Sequence, residues 1–200
     1  ESAFLSHMAV DVDDDEAIVH HALSVLKNLC RPASPHHALV TVSEWANRSF
    51  GEARSDRGRD FGPLPADLIY TARQLFDEMA ASPERQVLIH GDFHPQNILR
   101  SERDGWLAID PKGVVGDPLF DVAVLMVEGP RRPTDLSRKA FLERRIDQAV
   151  EELEENREKI VGWCLAHRVL SGCWSLQDHG DGWQSAFSDA ELLKQMIVNR

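Results

Sequence analysis

Two carboxylates and one amide in this chain stand at a spacing that suits phosphoryl transfer. Asp92 and Asn97 lie in the segment His-Gly-Asp-Phe-His-Pro-Gln-Asn, which follows the apolar run 87–89. Asp110 follows a second apolar run, 106–109. In kinases an aspartate accepts the proton of the attacking hydroxyl, while an asparagine and a second aspartate hold Mg²⁺ on the nucleotide phosphates. The pattern therefore predicts a kinase-type site that uses ATP and Mg²⁺.

Each side chain has a predicted role that follows from its chemistry. Mg²⁺ prefers oxygen ligands and is usually bound through one or two carboxylates together with phosphates and water. Asn97 and Asp110 are therefore predicted to bind Mg²⁺ and, through it, the nucleotide. Asp92 is the predicted catalytic base. His94, two residues further on, is predicted to steady the transferring phosphoryl group as a donor.

Two other interpretations of this segment are open. His90, Asp92 and His94 alternate, so on a strand they would share one face and could hold a hydrolytic metal. Gly91 and Pro95 favour a loop instead. In the second alternative the segment is an ordinary turn, whose aspartate and asparagine bond their own backbone. The additional carboxylate thirteen residues beyond the asparagine favours the kinase interpretation over both.

Longer stretches around these residues resemble a known family. The segment 90–99 resembles the catalytic loop of the aminoglycoside phosphotransferases. The segment 105–113, Gly-Trp-Leu-Ala-Ile-Asp-Pro-Lys-Gly, is similar to the streptomycin 6-phosphotransferase branch, the aminoglycoside/hydroxyurea antibiotic resistance kinases, in which Pro-Lys-Gly follows the metal-binding aspartate. Residues 116–123 continue this resemblance, and residues 174–178 and 182–183 look like the last helices of that branch.

The resemblance implies a fold class and a domain plan. It implies an α+β, mostly helical chain with the fold of a protein-kinase-like C-terminal lobe, in which a small β-hairpin carries the catalytic loop. Residues 1–200 would be that lobe, with the catalytic loop and metal site in 87–123. The helical, acceptor-binding part would occupy about 11–82 and 124–200. By the same resemblance, Asp121 ties a helix to the catalytic loop.

Kinase-like proteins also have an N-terminal lobe, with a phosphate-covering loop and a strand lysine. The first 30 residues contain no glycine-rich loop, their pattern predicts a helix, and their one lysine, Lys27, lies within that helix. We therefore expect a nucleotide lobe in cis, upstream of Glu1, that is absent from this chain. A catalytically idle fragment that only binds a cationic ligand is the alternative from a different functional class.

The resemblance also implies an acceptor. ATP-dependent phosphorylation of a hydroxyl on an aminoglycoside is expected, most of all on streptomycin, with hydroxyurea or another small molecule as the alternative. Trp174 and Asp178, with Asp181 and Trp183, could bind a guanidinium group through cation–π and charge-assisted contacts. Ordinary helix packing around a polar turn explains the same residues. Lys112 could reach a phosphate or be a surface lysine.

Composition restricts the class of partner. The net charge of −11 argues against nucleic acid, which proteins bind through Lys and Arg. It suits a cationic small molecule, and ordinary surface charge explains it equally well. No apolar run is long enough to span a membrane. The scattered Cys30, Cys164 and Cys173 have no metal-binding spacing and indicate free thiols in a reducing cytoplasm.

Hydrophobic periodicity predicts the elements that must position the site. Helices are predicted at about residues 1–30, 41–50, 65–79, 135–155 and 157–176, from residue 185 onward, and after Asp117, which is favoured as a helix cap. Strands are predicted at 87–90, 98–100 and 106–110. The last two would form a hairpin that brings Asn97 close to Asp110.

Overall fold

The computed structural model of the chain describes residues 12–33, 38–55, 61–79, 86–101, 105–128 and 136–198. Within these ranges the helices are α1 (Val12–Leu29), α2 (Val42–Ser55), α3 (Ala66–Met79), α4 (Leu119–Val127), α5 (Arg138–Leu153), α6 (Arg157–His179) and α7 (Trp183–Val198). The strands are β1 (Arg31–Pro32), β2 (Val87–Ile89), β3 (Ile98–Ser101), β4 (Gly105–Ala108) and β5 (Val114–Gly116). The described chain is mostly helical with small sheets, as predicted. None of its helices is long and apolar enough to cross a membrane.

Helix α6 is the centre of the helical part. Asn156 begins it by accepting a hydrogen bond from Lys159 N at 3.1 Å. Gly180 ends it in the left-handed conformation, at φ 75°, which glycine adopts without steric cost. Residues 160–170 are buried on every side, because α3, α4 and α7 pack against them. A helix that is buried all round belongs in the core of its domain.

Helix α4 connects this core to the catalytic segment. Every residue from Leu119 to Val127 is buried. The Asp117 carboxylate accepts a hydrogen bond from Leu119 N at 2.9 Å, so this residue caps the start of the helix. Asp121, in the first turn, is completely buried. The start of α4 therefore places a buried carboxylate directly behind the catalytic segment.

Two small antiparallel sheets flank that segment. Strand β2 lies between β1 and β5, with Leu88 opposite Val115. Strands β3 and β4 form a separate pair, with Ile98 opposite Ala108. Residues 90–97 connect β2 to β3, so they run from one sheet to the other. Strands β1 and β5 were not predicted, because two or three residues are too few to show a strand periodicity.

Several predicted helix boundaries were wrong by a few residues. Helix α2 continues to Ser55, and α6 continues three residues beyond the predicted end until Gly180 terminates it. Helix α5 begins only at Arg138, since the Ser137 hydroxyl accepts from Ala140 N at 3.1 Å and caps it there. Helix α7 begins two residues earlier than predicted.

Strand boundaries were also wrong by one or two residues, and part of the predicted plan lies outside the described residues. Strand β2 ends one residue earlier than predicted, at Ile89, and β3 ends one residue later, at Ser101. Strand β4 ends at Ala108 rather than at Asp110, whose φ of 57° is incompatible with an extended strand. The predicted first helix is described from Val12 onward. The remaining residues of that predicted helix, 1–11, are not described. The end of the 11–82 region and most of the turn between β3 and β4 also fall on residues that are not described.

Candidate active site

The segment after β2 is held by the carboxylate of Asp121. His90 N donates to Asp121 Oδ2 at 2.7 Å, and Gly91 N donates to Asp121 Oδ1 at 2.8 Å. Gly91 has φ 83°, and a β-carbon there would lie 2.8 Å from Val114 Cγ2, so only glycine fits. Burial raises the pKa of Asp121 to about 7, although both backbone donors favour its ionised form. Asp121 thus fixes the backbone immediately before Asp92.

We expect Asp121→Asn to reduce the free energy of unfolding by about 1–3 kcal/mol, since one buried backbone N–H would then face an amide NH₂ instead of an acceptor. Urea unfolding at neutral pH measures the change. The exposed Asp77 in α3 provides a matched control, and Asp77→Asn should stay within about 0.5 kcal/mol of the wild type. Equal stability of all three proteins would contradict the structural role of Asp121.

Asp92 is partly buried and surrounded by polar groups. Asn97 Nδ2 donates to the Asp92 carbonyl oxygen at 2.9 Å and lies 3.5 Å from Asp92 Oδ2. His94 Nε2 is 3.5 Å from Asp92 Oδ1. Lys112 Nζ is 3.4 Å from Asp92 Oδ2. The predicted base, the predicted donor and one predicted metal ligand therefore stand within one short loop.

Asp110 is brought to the same place by the β3–β4 pair. Ile109 N donates to the Asn97 carbonyl oxygen at 2.9 Å, which sets the residue before Asp110 against the end of the loop. The Asp110 side chain is 71% exposed, and its Oδ2 lies 3.2 Å from Lys112 Nζ. This hydrogen bond raises the pKa of Lys112. The left-handed backbone of Asp110 is a conformation that aspartate tolerates better than most residues.

His90 does not offer a metal-binding nitrogen. Its Nε2 lies 2.8 Å from the Ile109 carbonyl oxygen, and its Nδ1 accepts from Asp92 N at 3.3 Å. Burial lowers the pKa of His90, which favours this neutral, hydrogen-bonded ring. No group of three or more His, Cys, Asp or Glu in the described part could hold a metal ion. The geometry therefore argues against the hydrolase alternative.

A cavity of about 420 Å³ opens beside Asp92. Its wall is formed by the catalytic loop, the end of α4 and one face of α6, with the lining residues Asp92, His94, Pro95, Gln96, Val124, Glu128, His167, Ser171 and Trp174. Among the described residues the lining includes two carboxylates, Asp92 and Glu128, and no Lys or Arg, while Arg168 contacts Glu128 from outside the lining. Such a cavity is electrostatically suited to a small cation with a hydroxyl group.

Trp174 lies in this wall, whereas its predicted partners do not. Its Nε1 donates to the Ser49 hydroxyl at 2.7 Å, and its ring centroid is 4.8 Å from that of Trp45. Asp178 is an exposed residue one turn further along α6, beyond the cavity lining. Trp183 packs against Phe187 within α7. The predicted acidic and aromatic cluster does not line the cavity together, because α6 continues past Asp178.

Glu128, His167 and Ser171 line the cavity but were not predicted. His167 is 5% exposed, and burial lowers its pKa to about 3. Its Nδ1 has no hydrogen-bond partner among the described residues. The sequence could have indicated His167 and Ser171, because they are polar residues one helical turn apart within an apolar helix. The sequence did not indicate Glu128, because its position depends on a residue from another helix. Arg145 of α5 donates a hydrogen bond to the Glu128 carbonyl oxygen at 3.0 Å.

Known proteins resemble this chain over most of its length. Residues 2–180 match the family of aminoglycoside/hydroxyurea antibiotic resistance kinases. A streptomycin 6-kinase of Streptomyces griseus is 39% identical over 168 residues, which are 83% of this chain and 53% of that protein. A streptomycin 3''-kinase of Klebsiella pneumoniae is 36% identical over 186 residues, 87% of this chain and 63% of that protein. The chain thus spans between half and two thirds of these curated relatives.

Solved structures resemble the fold. The crystal structure of choline kinase LicA from Streptococcus pneumoniae has a TM-score of 0.58 at 13% identity and covers 100% of this chain and 68% of that one. A structure of LicA with AMP has a TM-score of 0.63 at 14% identity and covers 98% and 66%. The fold is accordingly that of choline-kinase-like proteins. Because the family match extends over residues 2–180, the predicted resemblance is confirmed, and the chain belongs to the aminoglycoside/hydroxyurea antibiotic resistance kinase family.

Proposed function

We propose that the protein containing these residues transfers a phosphoryl group from ATP to a hydroxyl of a small cationic molecule, and that streptomycin is the acceptor. The observation that carries this proposal is the position of Asp92. Asp92 lines the cavity together with His94, and its carboxylate also lies close to Asn97 and Lys112. A base between an acceptor cavity and oxygen ligands is the arrangement that phosphoryl transfer requires.

Asn97 and Asp110 fit the Mg²⁺ that the proposed reaction needs. Both supply oxygen atoms, and the Asn97 amide turns its NH₂ group toward the Asp92 carbonyl. The exposure of Asp110 leaves room for phosphates and water, which Mg²⁺ usually retains. When bound, Mg²⁺ would neutralise charge on the nucleotide phosphates. The described residues offer no closed protein cage, so we propose that metal binds together with the nucleotide.

The proposed chemical work of the chain is proton transfer and positioning. Asp92 Oδ would accept the proton of the acceptor hydroxyl, since Asp92 lines the cavity from which that hydroxyl would arrive. His94, next to Asp92, would donate to the developing negative charge. The buried anchor at Asp121 would keep the base in place, because it fixes the two backbone amides that precede it.

We further propose that these 200 residues form the C-terminal lobe of a kinase-like protein, with the site in 87–123 and acceptor-binding helices on either side. The extent of the relatives beyond the matched part supports a further lobe in cis that covers the nucleotide. Such a lobe would supply the phosphate-covering loop and the strand lysine. In this plan the helices α4 and α6 form the acceptor wall.

The cavity supports a cationic acceptor. Its volume lies within the range typical of small-molecule sites, although a molecule as large as streptomycin would extend beyond it. Glu128 offers a carboxylate that Arg168 also contacts, and Trp174 offers an aromatic wall. Guanidinium groups bind well to carboxylates and to aromatic faces. The names of the relatives make streptomycin the first acceptor to test.

An acceptor panel on the complete protein tests this proposal. With ATP and Mg²⁺, streptomycin should be phosphorylated far better than kanamycin or hydroxyurea. Glu128→Gln should raise the KM for streptomycin by roughly tenfold with kcat changed less, because it weakens binding of ground and transition states alike. Asp77→Asn, an exposed residue of α3 outside the cavity lining, is the matched control and should leave KM unchanged. Preference for kanamycin or hydroxyurea, or the reverse response of the two variants, would refute the proposed acceptor site.

A further inference from the structure

One ammonium group stands between the two carboxylates of the site. Lys112 Nζ lies 3.4 Å from Asp92 Oδ2 and 3.2 Å from Asp110 Oδ2. Asp92 is the proposed base and Asp110 the proposed metal ligand. A single cation therefore links the residue that accepts a proton to the residue that binds the metal.

The backbone directs Lys112 to this position. Its N–H donates to the His90 carbonyl oxygen at 2.8 Å, which joins the segment after β4 to the start of the catalytic loop. Positive φ angles at Asp110 and Gly113, 57° and 66°, turn the chain on both sides of Lys112. The side chain is 42% exposed, so its ammonium group is not locked in place by burial. Lys112 is thus anchored at its backbone, while its ammonium is held only by two partly exposed ion pairs.

The same two carboxylates are where positive charge is needed during the proposed reaction. Two carboxylates around one cation repel each other when that cation is removed. A divalent ion that binds Asp110 must approach a carboxylate that the ammonium already contacts at Oδ2, and the two positive charges repel each other. An ammonium on a flexible stem in a partly exposed ion pair is held only weakly, so a bound metal and nucleotide can displace it.

We propose that Lys112 is an exchangeable counter-ion of this site. In the metal-free protein its ammonium holds Asp92 and Asp110 together, and it leaves Asp110 when the metal binds with the nucleotide. Lys112 is then a positioning residue that keeps the carboxylates assembled between turnovers. This inference rests on the proposed function, because it takes Asp110 as a metal ligand.

Without nucleotide the two carboxylates can bind a divalent ion only weakly, and this weak binding of Mn²⁺, measured without nucleotide and acceptor, tests the competition directly. Free Mn²⁺ is measured by electron paramagnetic resonance in titrations of the complete protein. Lys112→Met keeps the length of the side chain and the backbone hydrogen bond to His90 but removes the charge. We expect it to bind Mn²⁺ about three- to tenfold more tightly than the wild type, since two partly exposed ion pairs no longer oppose the metal.

Two further variants make the result specific. Lys159→Met removes an exposed lysine from the first turn of α6 and should leave Mn²⁺ affinity unchanged. Asp110→Asn added to Lys112→Met should abolish the gain. Unchanged or weaker Mn²⁺ binding by both Lys112→Met and Lys112→Gln would overturn the inference, as would a gain that survives Asp110→Asn. Because no substrate is present, this result is separable from the acceptor panel, which can fail or succeed independently.

Discussion

Asp92→Asn in the complete protein is expected to lower kcat by about 10² to 10⁴, with the KM values for ATP and acceptor changed little. The asparagine is nearly the same size, so the loop geometry fixed by Asp121 should persist. It cannot accept the proton of the acceptor hydroxyl, and this loss affects the transition state rather than ground-state binding. Steady-state kinetics with streptomycin and ATP measure both constants.

Asp147→Asn is the control for this experiment. Asp147 lies on α5 and pairs with Arg157 at 3.0 Å, on the surface and outside the cavity lining. Its replacement should leave kcat and KM within error of the wild type. If Asp92→Asn also retained wild-type turnover while its melting temperature was unchanged, the assignment of Asp92 as the base would be wrong.

Asp110→Ala is expected to reduce Mg²⁺-dependent turnover by about 10² or more, because charge stabilisation by a metal ion is worth several kcal/mol in such reactions. The side chain is mostly exposed, so little packing is lost, but alanine tolerates the left-handed backbone of this residue less well than aspartate does. Asp110→Asn keeps that backbone preference and is therefore measured beside it. A Mg²⁺ titration of activity, with a thermal melt as the folding control, measures the effect. Half-maximal activity at an unchanged Mg²⁺ concentration and unchanged kcat would exclude Asp110 as a ligand.

Local sequence was sufficient to predict the loop and its immediate partners. Asp92 and Asn97 are five residues apart, so one short loop places them together whatever the rest of the chain does. The position of Asp110 near this loop could be predicted as well. Two strands that follow each other in the sequence form an antiparallel pair, so the second strand returns the chain to the end at which the loop lies. Asp117 could be interpreted because capping at a helix start is local, whereas the contact of Asp121 with the distant His90 was expected only from the family resemblance.

The acceptor wall could not be predicted in the same way. Trp45 meets Trp174 from a helix more than a hundred residues earlier, and no local pattern indicates this pairing. Glu128 faces the cavity only because α4 ends where Arg145 and Arg168 contact it. Asp178 lies outside the cavity lining for the same reason, since the length of a helix and the packing of its neighbours decide which turn lines a cavity.

The bridging position of Lys112 also depended on backbone geometry that residue types do not reveal. The sequence left open whether this lysine reaches a phosphate or lies on the surface. Its direction follows from the left-handed turn at Asp110 and from the hydrogen bond between Lys112 N and the His90 carbonyl oxygen. A β-like conformation at Asp110 would send the following residues elsewhere.

The location of the metal tests the central claim most directly, namely that Asp92, Asn97 and Asp110 form one phosphoryl-transfer site. The complete protein would be crystallised with Mn²⁺ and a non-hydrolysable ATP analogue, and the ion located by its anomalous scattering. We predict an ion bound by Asn97 Oδ1 and Asp110, with the terminal phosphate of the analogue facing Asp92. An ion bound instead by His90 and His94, or a nucleotide whose phosphates lie away from Asp92, would contradict it.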